Sequence, residues 1–229
     1  MKILLDLVRP RWKHSNFEKR LQSVWEMEDQ VLLGCIALED EEPRVRNAAL
    51  SKVESQTVLE RIALNDSDRE VRAAAVSRLS NEQLLERIAL KDQNEEIQMV
   101  AVKRIKDQHT LVRLVYKSPS LNHQFAALKK VRHRAMLREI LCAPSFPDEL
   151  RRKALEMLDP TKEDIGRISS PEALEMVASS AEHPSIRSAA VHRLKNADLL
   201  QLIAVKDADV SVRKSAEKRL QAVQVKMEG

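Results

Sequence analysis

An all-α fold made of about eight repeated helix pairs is predicted by three observations. The chain repeats itself, for VLERIALNDSDREVRAAAVSRL at 58–79 is followed by LLERIALKDQNEEIQMVAVKRI at 84–105 in the same spacing. Only three glycines and 3% aromatic residues occur among 229, while Ala, Leu, Arg, Lys and Glu recur throughout, a composition that suits helices and not sheets. Apolar residues recur three and four apart, the period of one helix face.

The repeat can be counted. Taking the small residue in the middle of each VRxAA-like segment as an anchor gives Ser23, Ala49, Ala75, Ala101, Ala127, Ala154, Ala190 and Ala216. The steps between them are 26, 26, 26, 26, 27, 36 and 26 residues. Along a single domain, 1–229, residues 1–13 then read as an N-terminal cap, its helix at 2–9 ending before Pro10, with Trp12, Leu21 and Trp25 part of the capping. Repeats one to six occupy 14–158. An insertion at 159–171, bracketed by Asp159-Pro160 and Ser169-Ser170-Pro171, is a loop or a short extra helix. The last repeats fill 172–223, and 224–229 form a frayed tail.

Each repeat predicts two helices. The anchor helix carries apolar residues four before, at, one after and four after the anchor, as in Val45, Ala49, Leu50 and Val53. At 100° per residue these share one face. The second helix carries an apolar residue thirteen after the anchor, as in Ile36, Ile62, Ile88, Leu114, Ile140 and Ile203. A pair this small cannot bury both stripes alone, so it must stack on its neighbours, and the anchors are small because helices approach closely there. A polar ladder accompanies the apolar one. Asp40, Asp66, Asp92 and Asp207 lie nine before their anchors, and Arg20, Arg46, Arg72, Arg187 and Arg213 lie three before theirs. The guanidinium groups are placed to tie successive loops together by charge-assisted bonds.

The segments DSDREVRAAAVSRL (66–79) and DADVSVRKSAEKRL (207–220) resemble the Asp…Val-Arg…Ala helix of HEAT repeats, and the 26-residue period is similar to that of the leucine-rich repeat variant family. The resemblance covers nearly the whole chain and implies a right-handed α-solenoid whose anchor helices line the concave surface. The chain departs from the variant family in lacking its Asn-Pro element and its Cys-rich iron–sulfur module, so no redox role follows.

Residues five before, two before and two after each anchor point away from the core and form the candidate binding surface. The fourth and fifth repeats stand apart there, with Met99 and Phe125 beside lysines. Residues 103–138 also hold ten basic residues against the single acid Asp107, whereas 26–42 hold seven acids and no base. The polar ladder lapses in the same stretch: Gln98 and Gln124 replace Arg, Ser118 replaces Asp, and His123 takes an apolar position. Met99, Lys103, Arg104, Phe125, Lys129, Lys130 and Arg152 are therefore the candidate partner-binding residues. Against this stands the reading that long basic side chains merely solvate two helices.

Chemistry is not legible elsewhere. The six histidines form no HExxH set, there is no phosphate-cradling glycine loop or nucleophile elbow, and the carboxylates follow the repeat. No catalytic, cofactor-binding or metal residue is expected, and no small-molecule substrate is indicated. Cys35 and Cys142 read as core residues beside second-helix stripes; two cysteines 107 apart support no disulfide framework and suit a reducing, cytoplasmic setting. No stretch approaches the roughly 20 apolar residues of a membrane span, so no membrane partner is expected. The net charge of +4 permits an acidic protein, a peptide or a nucleic acid as partner. The expected function is a non-enzymatic protein-interaction scaffold. Phosphate-backbone binding by the basic middle repeats is the alternative, and a HEAT-like DNA glycosylase or lyase the more remote one.

Overall fold

The computed structural model describes residues 10–225. The expected helix at 2–9 and the tail at 226–229 lie outside the described residues. Sixteen α-helices and no strand occur among them, packed consecutively in pairs as in an α-solenoid. Two compact units divide between Ala127 and Leu128.

The first unit holds α1 (Phe17–Glu26), α2 (Gln30–Glu39), α3 (Pro43–Lys52), α4 (Gln56–Asn65), α5 (Arg69–Arg78), α6 (Glu82–Lys91), α7 (Glu95–Arg104) and α8 (Gln108–Lys117), with α9 (Leu121–Leu128) ending at the division. Helices α1, α3, α5 and α7 carry the anchors and stack side by side, while α2, α4, α6 and α8 form a second layer. Asp29, Ser55, Asn81 and Asp107 start the second-layer helices by accepting N–H bonds from their first turns. The second unit holds α10 (Arg134–Cys142), α11 (Asp148–Leu158), α12 (Lys162–Arg167), α13 (Pro171–Ser180), α14 (Pro184–Val191), α15 (Ala197–Lys206) and α16 (Val210–Val225).

All seven anchor alanines are 0% exposed, so every counted anchor after Ser23 sits where helices meet. The isoleucines and leucines thirteen residues further on are buried too. The insertion is a short helix, α12. Asp159 turns the chain in the left-handed region at φ 39°, which Asp tolerates better than most residues, and Thr161 and Asp164 close a capping box. Burial alone would push the Asp164 carboxyl up. The Thr161 N–H and the Arg134 guanidinium outweigh burial and hold it well below the usual carboxylate range.

The Arg–Asp ladder closes with paired bonds at three of its four rungs. Arg20 Nε and Nη2 donate to both Asp40 oxygens at 2.9 Å, Arg46 to Asp66 at 2.8 and 2.7 Å, and Arg187 to Asp207 at 2.8 Å twice. The third nitrogen of each arginine bonds the carbonyl six residues earlier, at 2.8 Å for His14 O, 2.9 Å for Asp40 O and 2.9 Å for Ala181 O. One guanidinium thus ties its own loop with Nη1 and the next repeat's loop with the other two nitrogens. Where the ladder lapses, Gln98 and Gln124 keep only the bond to their own loop, reaching Asp92 O at 2.6 Å and Ser118 O at 2.9 Å.

One expectation fails. Cys35 is exposed, and only Cys142 is half-buried. Cys35 lies twelve after its anchor, in register with Arg61, Arg87 and Arg113, all exposed, so this position faces solvent beside the apolar stripe. Burial pushes the Cys142 thiol up.

Candidate protein-binding face

In the first unit the outward positions of the anchor helices follow the expected pattern in part. Moving from α1 to α9, the residues two before the anchors are Leu21, Asn47, Ala73, Met99 and Phe125. All are half-buried except the exposed Asn47. Those two after the anchors are Trp25, Ser51, Ser77 and Lys103, all exposed, with Trp25 at 59%. The face is a broken apolar line with small exposed residues on one side and, five before the anchors, the exposed row Glu18, Arg44, Glu70, Glu96 and Asn122 on the other. An indole stands at one end, and Met99 and Phe125 with Lys103 stand at the other.

Leu21 and Trp25 are not among the expected binding residues, because in the sequence both read as capping residues. They occupy, around Ser23, two of the three register positions that define the face elsewhere. Extending the repeat arithmetic to the first repeat finds them.

The seven expected residues divide between the two units. Met99 and Lys103 lie four apart on α7 and share its outer face, with Phe125 on α9. Arg104 is engaged within the protein, since its Nε donates to Leu79 O at 2.9 Å. It belongs to a second cationic ladder, three residues after the anchors. Lys52 donates to Trp25 O at 2.9 Å and to Met27 O, Arg78 to Leu50 O and Val53 O, Arg193 to Ile165 O, and Arg219 to Leu194 O at 2.8 Å. These carbonyls lie at or just beyond the end of the preceding helix of the stack, the insertion helix α12 in the case of Ile165, where positive charge is favoured and acceptors lack helical partners. Lys130 stands in the same register. In the second unit Lys129 and Arg152 are exposed.

The basic stretch is less free than its composition implies. Arg113 donates to both oxygens of Glu86 at 2.9 and 2.7 Å, a pairing that holds the Glu86 carboxyl below its ordinary range. Arg134 and Arg138 converge on Asp164, the latter at 2.7 Å. His123, four before Ala127 in the buried apolar column, is 1% exposed, and neither ring nitrogen has a hydrogen-bond partner.

In the second unit the outward positions are polar: Arg152, Ser188 and Lys214 before the anchors, Glu156, His192 and Lys218 after them. Among the described residues no group of three His, Cys, Asp or Glu side chains could hold a metal ion, and no helix is long and apolar enough to cross a membrane.

No family model matches the chain, and no curated protein matches it. Among solved structures the chain is similar to the X-ray structure of YibA from Escherichia coli. The two share 18% sequence identity over 96% of this chain and 95% of that one, with a TM-score of 0.39.

Proposed function

We propose that this protein is a non-enzymatic binding scaffold that holds a protein or peptide partner against the exposed anchor-helix face of its first unit, in a cytoplasmic setting. The apolar line Leu21, Ala73, Met99 and Phe125, with the exposed Trp25 indole, carries the reading. Aromatic anchors beside small residues are what interfaces use.

Phosphate binding by the basic middle repeats has less support, because Arg104, Arg113, Arg134 and Arg138 are engaged within the protein.

The test is affinity capture with the full chain, followed by identification of the recovered proteins. Met99→Glu and Trp25→Ala should each lose a partner that the unmodified chain and Lys214→Glu, on the outer face of the second unit, both retain. Equal recovery by all four proteins would reject the face. Retention of labelled single-stranded or duplex DNA at low salt, falling steeply at moderate salt, would favour the phosphate reading instead.

A further inference from the structure

We propose that a groove at the Arg72 rung of the ladder binds the carboxylate of an acidic residue in a partner peptide, with an apolar neighbour of that residue seated on Leu64. Three rungs close with two parallel bonds between guanidinium and carboxylate, but at Arg72 the nearest approach to Asp92 is 3.7 Å. Both halves keep their other bonds. Arg72 Nη1 reaches Asp66 O at 2.9 Å and Ser67 O at 3.2 Å, and Asp92 Oδ1 accepts the Asn94 N–H at 2.8 Å. The loops are therefore in their usual places, and the rung between them alone is open. Arg72 is nonetheless only 6% exposed. Its Nε and Nη2 make no hydrogen bond and stay open to solvent, so an incoming acid can take the two charge-assisted bonds that Asp92 leaves unmade.

The surroundings say what fits. A groove of about 480 Å³ opens at this rung, walled by Ala63, Leu64 and Ile88 and reached by Arg72, Arg87 and Lys91. Neither Arg87 nor Lys91 makes an ion pair among the described residues, and Asp66 is committed to Arg46. Three cations then face the one loosely held carboxylate of Asp92. The two preceding repeats lack this pair, since the residues in register with Lys91 are Asn65 and Glu39 and those in register with Arg87 are Arg61 and Cys35; the next repeat has Arg113 and Lys117 there, but Gln98 in place of the ladder arginine. Leu64 is 40% exposed and gives the groove an apolar side. A fork of charge-assisted donors beside an apolar wall selects a carboxylate next to an aliphatic side chain.

The test is a nuclear magnetic resonance titration of the full ¹⁵N,¹³C-labelled chain with acetyl-Glu-Leu-amide, acetyl-Gln-Leu-amide and inorganic phosphate. The Arg72 Nε–Hε signal, assigned by its loss in Arg72→Lys, and the Leu64 methyl signals should shift saturably with the Glu peptide, while the closed Arg46 rung stays still. The Gln peptide should bind at least tenfold more weakly. Arg87→Gln with Lys91→Gln should weaken the Glu peptide at least tenfold, with an unchanged amide spectrum elsewhere because both side chains are exposed. The absence of a saturable shift, equal binding of the Gln peptide, or unchanged affinity in the double variant would overturn the site. Phosphate binding as tight as the Glu peptide's would overturn its assignment to a carboxylate.

Discussion

The joint between Arg46 and Asp66 and the joint between Gln98 and Ser118 occupy the same place two repeats apart and are built differently. In the first, a buried guanidinium binds its own loop and the next one. In the second, a glutamine binds its own loop only, and the acid that would receive the other two bonds is a serine, itself buried. The two changes belong together, since a single retained charge would be left buried without its partner, at a cost of roughly 3–5 kcal/mol. The loop-forming half of the arginine's work is thus required in every repeat, and the clip between repeats is optional. Repeats that are equivalent in their cores are free to differ at their joints and on their outer faces.

Breaking an intact joint should give the largest effect. Asp66→Ala leaves Arg46 buried and unpaired and should cost about 3–5 kcal/mol, read as a lowered urea midpoint, whereas Ser118→Ala at the lapsed joint should cost less than about 1 kcal/mol. Equal losses at the two places would erase the distinction. His123 is expected to work in the other direction. Its two unbonded ring nitrogens occupy a column filled elsewhere by Val45, Val71 and Ile97, so His123→Leu should stabilise the protein by about 1–3 kcal/mol.

The joints should also respond to acid. The Asp207 carboxyl is held below its ordinary range, chiefly by the bonds from Arg187. A depressed folded value means the stabilisation is fully present above the unfolded value, about 3.9, and is lost as pH falls through the lower folded value. The unfolding midpoint of the native chain should fall between pH 6 and pH 3, and Asp207→Asn should lose less over the same interval. The smallest effect is expected from rebuilding the lapsed joint. Gln98→Arg and Ser118→Asp should each destabilise alone, and together recover about 1 kcal/mol relative to the sum of the two.

The regular parts of this architecture are legible in the sequence because each depends on one residue type at one register position. Alanine anchors and the Arg–Asp ladder recur at a step of 26 residues in most repeats, and chance composition does not account for that recurrence. The second ladder, Lys52, Arg78, Arg104, Arg193 and Arg219, has the same register but is hidden. Lysine and arginine are abundant on any exposed helix, and only the carbonyls they reach distinguish them. Arg134 and Arg138 cannot be read as engaged at all, because their acceptor Asp164 lies in the insertion, where no period applies. Trp25 misleads for a different reason: a tryptophan near a chain end reads as a cap until its register with Ser51 and Ser77 is counted.

The proposed scaffold meets its partner with the outer face of the first unit and not with that of the second. Photocrosslinking with benzoylphenylalanine at Ser51, Ser77 or Lys218, all two residues after an anchor and all exposed, tests it most directly once affinity capture has identified the partner. Adducts with that partner are expected from Ser51 and Ser77 and none from Lys218. Adducts from Lys218 alone, or none from either serine, would contradict this placement.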